Sequence, residues 1–332
     1  MVSLVPVSGL DTDPEGIARF DAWAAVLADV ARHDQGEDHD AWSAAELRGL
    51  EASASKRRVQ VLAVEDREPV GAAGVIAPLL DNEHSAQVFV AVLPAHRRRG
   101  VGGRLARWAE DEARALRRSI LHAETQSGPG SDDPYVPWLV RRGFAPAQTV
   151  LRADLDVRGA VLPVLSTAAG YRLETHVDRM PDADLADRAL LARRMSTDAP
   201  LGDLDLSEEA WDEQRIRGED ERTRAMGRRI VSTFARDLGT GRLVGYTTVQ
   251  VPEHAPRLAF QHDTLVLREH RGHGLGLALK VANLRALGDA VPEVRTVRTW
   301  NAAENAHMLA VNAAMGFRPS GVLRQWQRHL DP

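Results

Sequence analysis

Two glycine-rich turns are the parts of this chain best suited to binding a charged ligand. One reads Arg97-Arg98-Arg99-Gly100-Val101-Gly102, and the other reads Arg271-Gly272-His273-Gly274-Leu275-Gly276. Each follows an apolar, strand-like segment and precedes a helical pattern. A helix that opens at such a turn presents unpaired backbone N–H groups, and its dipole favours negative charge there. The arginines add positive charge, so both turns are predicted to bind an anion, most simply a phosphate.

The two turns belong to a longer internal repeat. The offset of 271 minus 97, or 174 residues, also aligns Val70-Gly71 with Val244-Gly245 and Gln87 with Gln261. Further on, Gly143-Phe144 corresponds to Gly316-Phe317 at an offset of 173. A period of this length indicates two duplicated domains rather than a solenoid.

Three other interpretations of the glycine turns fit the sequence less well than phosphate binding. A single turn could simply connect a strand to a helix, but two copies in register argue against this. The dinucleotide-binding fingerprint does not fit, because its third glycine would fall on Leu105 or on Leu277 or Leu279. A P-loop is excluded by the absence of Gly-Lys-Ser/Thr.

At these residues the sequence resembles the GNAT acyltransferase superfamily, whose Arg/Gln-x-x-Gly-x-Gly/Ala signature is matched in both halves. The resemblance implies that each turn holds the pyrophosphate of acetyl-CoA, and that the strand before it splays to pair with the pantetheine arm. The resemblance covers nearly the whole chain, which in this respect is similar to tandem members of the family. The implied acetyl-CoA contacts are Val90, Ala91, Val92, Arg97, Arg98, Arg99, Gly100, Val101, Gly102 and Gly103, then Leu265, Val266, Leu267, Arg271, Gly272, His273, Gly274, Leu275, Gly276, Asn301 and Asn305.

Direct acyl transfer needs a free amine, a donor to the developing oxyanion and an acid for the thiolate. Asp263 is the favoured candidate for binding or deprotonating a cationic amine, with His262 beside it on the same strand. The alternative for both is a structural hydrogen bond or a solvated strand end. Glu124 is the only comparable strand carboxylate of the first half, and ordinary surface is an equally good interpretation of it.

Neither half has the tyrosine that supplies the acid in many members of the family. Many family members place a tyrosine four residues before the Gly-Phe pair, where this chain has Leu139 and Asn312. Tyr135 lies further back, so Asn312 is the predicted participant. Asn301, Asn305 and Asn312 could line one helix face, with a helix cap at Asn301 and a buried amide at Asn312 as the alternative.

Tryptophans offer a weaker signal for the acceptor. Trp211, Trp300 and Trp326 could wall an acceptor pocket, although tryptophans usually belong to the core.

The elements around these residues predict an α/β (α+β) fold. Each half reads as helices, a hairpin and a strand–turn–helix–strand unit, which suits a mixed, largely antiparallel sheet of six to seven strands flanked by helices. The predicted domains are 1–158 and 171–332, with a linker at about 159–170.

Composition excludes several other classes. The 332 residues include no cysteine, which removes disulfides, thiolate metal sites and a cysteine nucleophile. A net charge of -5 gives no electrostatic footprint for nucleic acid. No signal peptide or membrane-spanning run is recognisable, so a cytoplasmic protein without membrane or metal partners is expected, its oligomeric state open.

The sequence therefore predicts acetyl transfer from acetyl-CoA to a primary amine of a small molecule, by direct transfer in a ternary complex. The second half is favoured as the active one because it has more polar groups near its turn. Two alternatives remain: a CoA-binding sensor or pseudoenzyme without turnover, and an acetyltransferase acting on a protein amine.

Overall fold

The computed structural model describes residues 1–163 and 168–331. They pack as two compact units, which we call the N-terminal unit (Met1–Gln148 with 323–331) and the C-terminal unit (Thr149–Val322, apart from Val164–Thr167). In chain order the strands and helices are β1 (Ser3–Val7), α1 (Pro14–Gln35), α2 (Ala44–Glu51), β2 (Lys56–Glu65), β3 (Glu68–Pro78), β4 (Ser85–Val92), α3 (Val101–Ala115), β5 (Ile120–Ser127), α4 (Val136–Val140), β6 (Ala145–Asp156), β7 (Tyr171–Val177), α5 (Leu185–Asp198), α6 (Glu213–Ala225), β8 (Arg228–Asp237), β9 (Leu243–Pro252), β10 (Leu258–Val266), α7 (Leu275–Ala290), β11 (Thr296–Ala302), α8 (Ala306–Met315) and β12 (Arg318–His329).

The strands of the N-terminal unit follow the order β1-β2-β3-β4-β5-β12-β6, in which β12 contributes its residues from Leu323 onward and β6 contributes residues 145–148. The pairs from β1 to β4 are antiparallel, and β4 pairs with β5 in parallel. Phe20 and Trp23 of α1 are buried against one face, where Trp23 Nε1 donates to the Ala73 carbonyl at 3.2 Å. Helix α3 packs on the other face through Val101 and Leu105.

The first two helices begin at strong N-caps. The Asp13 carboxylate accepts from the Gly16 N–H at 2.9 Å, and a proline occupies the first helical position of α1. Helix α2 starts with a capping box, in which Ser43 and Glu46 satisfy each other's backbone N–H groups. These caps fix the two helices that cover the face opposite α3.

The C-terminal unit repeats this architecture in the order β12-β6-β11-β10-β9-β8-β7, with β12 contributing residues 318–322 and β6 its residues from Thr149. The β10–β11 pair is parallel, whereas the pairs from β7 to β10 and the β6–β11 pair are antiparallel. Helices α5 and α6 pack around Phe234 and Tyr246, and α7 covers the other face through Leu279 and Leu284.

The predicted fold class is confirmed: within each unit the described strands, with β6 and β12 divided between the two units, are mixed but mostly antiparallel and are flanked by helices. The units do not correspond to a simple cut of the chain. Residues 150–156 of β6 pair with β11, whereas 323–331 return to the N-terminal unit. The division into domains 1–158 and 171–332 stays a prediction, and Val164–Thr167 of the 159–170 linker lie outside the described residues.

None of the described helices combines the length and the apolar character that crossing a bilayer requires.

Candidate active site

The N-terminal glycine turn is an open cradle at the start of α3. Gly100 caps the helix in the left-handed conformation with φ 87°, and a Cβ added there would meet no atom within 4 Å. Val101, Gly102 and Gly103 form the first helical turn, so their N–H groups have no carbonyl one turn earlier to bind. The turn therefore presents backbone donors with open space beside Gly100 for an anion.

The C-terminal turn has the same construction at the start of α7. Gly274 caps the helix with φ 70°, Gly272 has φ 85°, and a Cβ at either position would enter open space. Leu275 and Gly276 lie in the first turn, and His273 stands beside the Tyr171 ring at 5.4 Å between ring centres. Both cradles thus offer a pyrophosphate backbone donors and open space.

The first arginine of each turn fastens the end of the central strand. Arg97 donates from Nε to the Val92 carbonyl at 3.0 Å, and its Nη2 contacts both Asp34 oxygens at 3.0 and 3.1 Å. Arg271 repeats this with Val266 O at 3.0 Å and with Asp198 at 3.0 Å. Arg98, with φ 63°, and exposed Arg99 complete the N-terminal turn.

Sequence reasoning did not find the two aspartates. Asp34 lies in the last turn of α1 and Asp198 ends α5, and they are separated by 198 minus 34, or 164 residues, rather than by the 174 of the repeat. The change in register conceals their equivalence. Only the packing of each first helix against the turn brings them together with the arginines.

The central strand separates from its parallel neighbour in both units. Strand β4 pairs with β5 through Ser85, Ala86 and Gln87 only, and β10 pairs with β11 through Leu258 to Phe260 only. Beyond these pairs the central strands continue to Val92 and Val266, respectively. Val90–Val92 and Leu265–Val266 remain paired to β3 and β9 on the other side, while Leu267 follows the strand. These are the segments predicted to meet the pantetheine arm.

A bulge distinguishes the C-terminal unit. The β9–β10 register shifts by one residue between Gln261 and Thr264, whereas β3 and β4 pair in continuous register. The shift falls on His262 and Asp263, both exposed, and it redirects side chains at the point where the strands part.

Asp263 is held from the protein side. The Tyr246 hydroxyl donates to Asp263 Oδ2 at 2.8 Å, and burial raises the pKa of that fully buried phenol well above its ordinary value. The Arg188 guanidinium lies 3.9 Å from the centre of the Tyr246 ring. Asp263 thus has one oxygen fixed by a donor while its side chain stays open to solvent.

The three asparagines do not share a helix face, so that prediction is wrong. Asn301 belongs to β11, and α8 begins only at Ala306, where the Asn305 side chain caps it by accepting from Met308 N at 3.2 Å. Asn312 is 3% exposed and donates from Nδ2 to Asn301 Oδ1 at 2.6 Å. Asn301 and Asn312 are therefore adjacent. Asn305, rather than Asn301, is the helix cap.

The family's tyrosine positions are filled by groups that cannot supply a proton. Leu139 is 4% exposed in the core, and Asn312 carries an amide. Tyr135 lies closer to the cradle than its sequence position suggests, because its hydroxyl donates to Asp34 and its ring is 5.8 Å from the Arg97 guanidinium. Burial and the hydrogen bond to Asp34 raise the pKa of Tyr135, so its phenol stays protonated.

Glu124 is the candidate carboxylate of the N-terminal unit, on β5 rather than on the central strand. It lies on β5 beyond the last parallel pair, stays accessible to solvent, and accepts from Gln325 Nε2 at 3.1 Å. Desolvation by the surrounding protein raises the pKa of Glu124; the Gln325 hydrogen bond opposes this shift and the Asp40 charge adds to it.

The tryptophans have separate roles. Trp326 is 2% exposed in the core of the N-terminal unit, and Trp211 packs beside Arg215 in the C-terminal unit. Trp300 stacks on Phe260 at 6.0 Å between ring centres, at the last parallel pair. Of the three, Trp300 lies nearest to the separation of the strands.

One group of potential metal ligands is present among the described residues. Glu174, His176 and Asp184 could approach a common point, but Arg236 binds both carboxylates, with Nη2 contacts of 2.8 to 3.0 Å. The Arg236 hydrogen bond lowers the pKa of Glu174 to about 2. A guanidinium occupies the position that a cation would need.

Comparisons with known proteins agree with this geometry. Residues 23–130 match the model of the Acetyltransferase (GNAT) family. The chain is 29% identical to a mycothiol acetyltransferase of Tsukamurella paurometabola, over 74% of this chain and 79% of that protein. It is 25% identical to a mycothiol acetyltransferase of Pseudarthrobacter chlorophenolicus, over 76% of this chain and 74% of that protein.

A solved structure covers the whole chain. It is a tandem GNAT protein from the clavulanic acid biosynthesis pathway, 28% identical, with a TM-score of 0.84, covering 100% of this chain and 99% of that one. A GCN5-related N-acetyltransferase from Sphaerobacter thermophilus, 18% identical with a TM-score of 0.68, shares the fold over 99% of this chain and 96% of its own.

Proposed function

Because the chain belongs to the GNAT acetyltransferase family and carries two copies of its fold, we propose that it transfers an acetyl group from acetyl-CoA to a primary amine of a small molecule. One observation carries the proposal. In each unit an open glycine cradle follows a central strand that is paired to its parallel neighbour at its start but not at its end. The cradle suits the pyrophosphate, and the freed strand edge suits the amides of the pantetheine arm. Acetyl-CoA supplies the reactive thioester.

Transfer is assigned to the C-terminal unit. Its bulge places Asp263 and His262 at the separation of β10 from β11, where the N-terminal unit has Val88 and Phe89 in continuous register. Tyr246 holds Asp263 Oδ2, so Oδ1 can accept from the acceptor ammonium and steer its nitrogen to the thioester. Backbone N–H groups along the open edge of β10 can polarise the thioester carbonyl.

The proton balance needs no enzymatic acid. The bound ammonium first gives one proton to Asp263 or to solvent. When the free amine then forms the amide bond and the carbon–sulfur bond breaks, the nitrogen loses a second proton and the thiolate gains one. Asn312 cannot deliver this proton, but its amide can hydrogen-bond in the site while water carries the proton from nitrogen to sulfur.

A small-molecule acceptor is supported by the relatives, two of which are named mycothiol acetyltransferase. Their identity of 29% and 25% supports this acceptor class rather than mycothiol itself. An acceptor amine on a protein is the alternative, and a peptide panel beside an amine panel distinguishes the two.

Glu124 supports a second candidate, transfer in the N-terminal unit. Its carboxylate lies beyond the last β4–β5 pair, and its raised pKa moves it toward the range useful for a general base. Under this candidate Glu124, rather than Asp263, receives the proton of the acceptor amine.

The first experiment is calorimetric titration of acetyl-CoA into the intact protein and into Gly100→Glu and Gly274→Glu variants. A carboxylate at either cradle repels the pyrophosphate, so each variant is expected to lose one binding site. Gly288→Glu, in the last turns of α7 where a Cβ meets no atom within 4 Å, is the control. The absence of acetyl-CoA binding by the intact protein would overturn the proposal.

The second experiment assigns the transfer. Amine-dependent release of CoA is measured for Asp263→Asn and Glu124→Gln with the best acceptor of the panel. Loss of about 100-fold in kcat for Asp263→Asn, with Glu124→Gln near wild type, supports the C-terminal unit. The reverse pattern supports the N-terminal unit, and binding without turnover for any amine or peptide favours a sensor.

A further inference from the structure

The N-terminal unit has a polar cavity that the reaction described above does not use. Its volume is about 480 Å³, and it is lined by Glu110 of α3, Trp138 of α4, Arg141 and Arg142 after α4, and Arg328 of β12. Three guanidinium groups face a single carboxylate in this lining. The cavity is therefore cationic in a protein whose net charge is -5.

The cavity adjoins the N-terminal cradle. Arg142 Nη2 donates to the Gly103 carbonyl at 3.3 Å, and the Trp138 ring would lie 4.0 Å from a Cβ at Gly102. Gly102 and Gly103 belong to the first turn of α3, whose N–H groups form the cradle. A ligand with its pyrophosphate on that turn can extend directly into the cavity.

The lining is held in place by its own contacts. Glu110 Oε1 accepts from Arg328 Nη1 at 2.8 Å and lies 3.6 Å from Arg142 Nη1. The Arg142 guanidinium stacks over Trp138 at 4.5 Å. Each guanidinium has five N–H donors, more than the two Glu110 oxygens can take, so donors remain for an anion. Burial lowers the pKa of Arg142, the Glu110 charge opposes this shift, and the charges of Arg107 and Arg328 add to it. A bound anion would stabilise the charged guanidinium.

The described residues at the equivalent positions of the C-terminal unit do not repeat this lining. In the register of the repeat, Trp138, Arg141 and Arg142 correspond to Val311, Ala314 and Met315, and Glu110 corresponds to Leu284. Leu284 and Met315 are buried in one hydrophobic cluster, and Val311 packs against it. The same position is thus a polar cavity in one unit and apolar core in the other.

We propose that this cavity is a nucleotide subsite of the N-terminal unit, which binds the adenosine 3′-phosphate end of CoA through Arg141, Arg142 and Arg328, with Trp138 beside the adenine. Guanidinium groups bind phosphate by paired hydrogen bonds, and an indole ring offers a flat apolar face to a base. This inference rests on the proposed binding of acetyl-CoA. It adds that the two units recognise different parts of CoA.

The test compares CoA with 3′-dephospho-CoA, which differ only in the phosphate concerned. Calorimetry on Gly274→Glu reports the N-terminal unit, and calorimetry on Gly100→Glu reports the C-terminal unit. The N-terminal unit is expected to bind CoA at least tenfold more tightly than 3′-dephospho-CoA. The C-terminal unit is expected to distinguish them by less than threefold.

Two variants locate the effect in the cavity. Arg141 is exposed, so Arg141→Gln leaves the packing intact, and Arg328→Gln removes a partner of Glu110. Each is expected to reduce the preference for the 3′-phosphate about threefold or more, whereas Arg114→Gln, near the end of the same α3, leaves it unchanged.

Equal binding of the two ligands by the N-terminal unit would overturn the subsite, and so would a preference that survives both cavity variants. Either result leaves acetyl-CoA binding itself intact. If neither ligand binds either unit, the proposed function fails and the subsite fails with it.

Discussion

Arg97 and Arg271 make the same hydrogen bond in the two units: each donates from Nε to the carbonyl of the last residue of its central strand, Val92 or Val266, at 3.0 Å. Each also contacts an aspartate of the first helix, Asp34 or Asp198. These arginines therefore connect three elements, and the cradle keeps its shape because strand, turn and helix are held together.

Replacing Arg271 by lysine tests this connection. Lysine keeps the charge but lacks Nε and the planar fork, so the bond to Val266 O and the paired contact with Asp198 cannot both form. We expect acetyl-CoA binding by the C-terminal unit to weaken about fivefold, in keeping with roughly 1 kcal/mol for one hydrogen bond. Calorimetric titration with acetyl-CoA compares the affinity of the double variant Gly100→Glu/Arg271→Lys with that of Gly100→Glu alone. Exposed Arg285→Lys is the control. Unchanged affinity would show that acetyl-CoA binding does not depend on the planar guanidinium of Arg271.

Gly100→Ala separates backbone strain from charge at the N-terminal cradle. The position has φ 87° with open space around a Cβ, so alanine adds conformational cost, about 1 kcal/mol, without a clash. We expect Gly100→Ala to lower stability slightly and to retain most acetyl-CoA affinity, while Gly100→Glu loses it. If alanine abolishes binding as fully as glutamate does, repulsion of the pyrophosphate is not the reason.

Lys280 predicts a pH-dependent stability of the C-terminal unit. It is 1% exposed, its Nζ lies 5.4 Å from the centre of the Phe317 ring, and burial lowers the pKa of Lys280 from 10.5 to about 7. Between these values the unfolded chain binds more protons than the folded protein, so the free energy of unfolding increases as pH rises from 7 to 10.5.

Lys280→Met is expected to remove this slope and to stabilise the unit by ~1–3 kcal/mol at pH 6.5. Denaturant unfolding at pH 6.5, 8 and 9.5 measures the effect, with exposed Lys56→Met as the matched control. Parallel pH profiles for wild type and Lys280→Met would contradict the prediction.

Trp326 tests the assignment of the C-terminal segment to the N-terminal unit. It is 2% exposed, and its Nε1 donates to Thr125 Oγ1 at 3.0 Å on β5. Trp326→Ala is expected to cost ~3–5 kcal/mol through the cavity it leaves, and to weaken acetyl-CoA binding at the Gly100 cradle while the Gly274 cradle keeps its affinity. Calorimetry and thermal unfolding check both effects, with Gln327→Ala on the same strand as the control. Loss confined to the Gly274 cradle would refute the assignment.

The sequence by itself determined the repeat, the fold class and the position of both cradles. These features depend on local patterns: glycines where φ must be positive, a strand before them and a helix after them. Gly100 and Gly274 were therefore identifiable without coordinates, since the turn needs its residue types whatever surrounds it.

Only the tertiary structure decided which side chains reach these cradles. Asp34 and Tyr135 approach Arg97 from 63 and 38 residues away in sequence (97 minus 34 and 135 minus 97), and Arg328 reaches Glu110 across 218. The spacing of Asn301 fits a helix, yet pairing with Leu151 makes it part of a strand. Contacts between residues far apart in sequence have no local periodicity, so no pattern along the chain predicts them. The residues that distinguish the two units are therefore identified only from the folded structure.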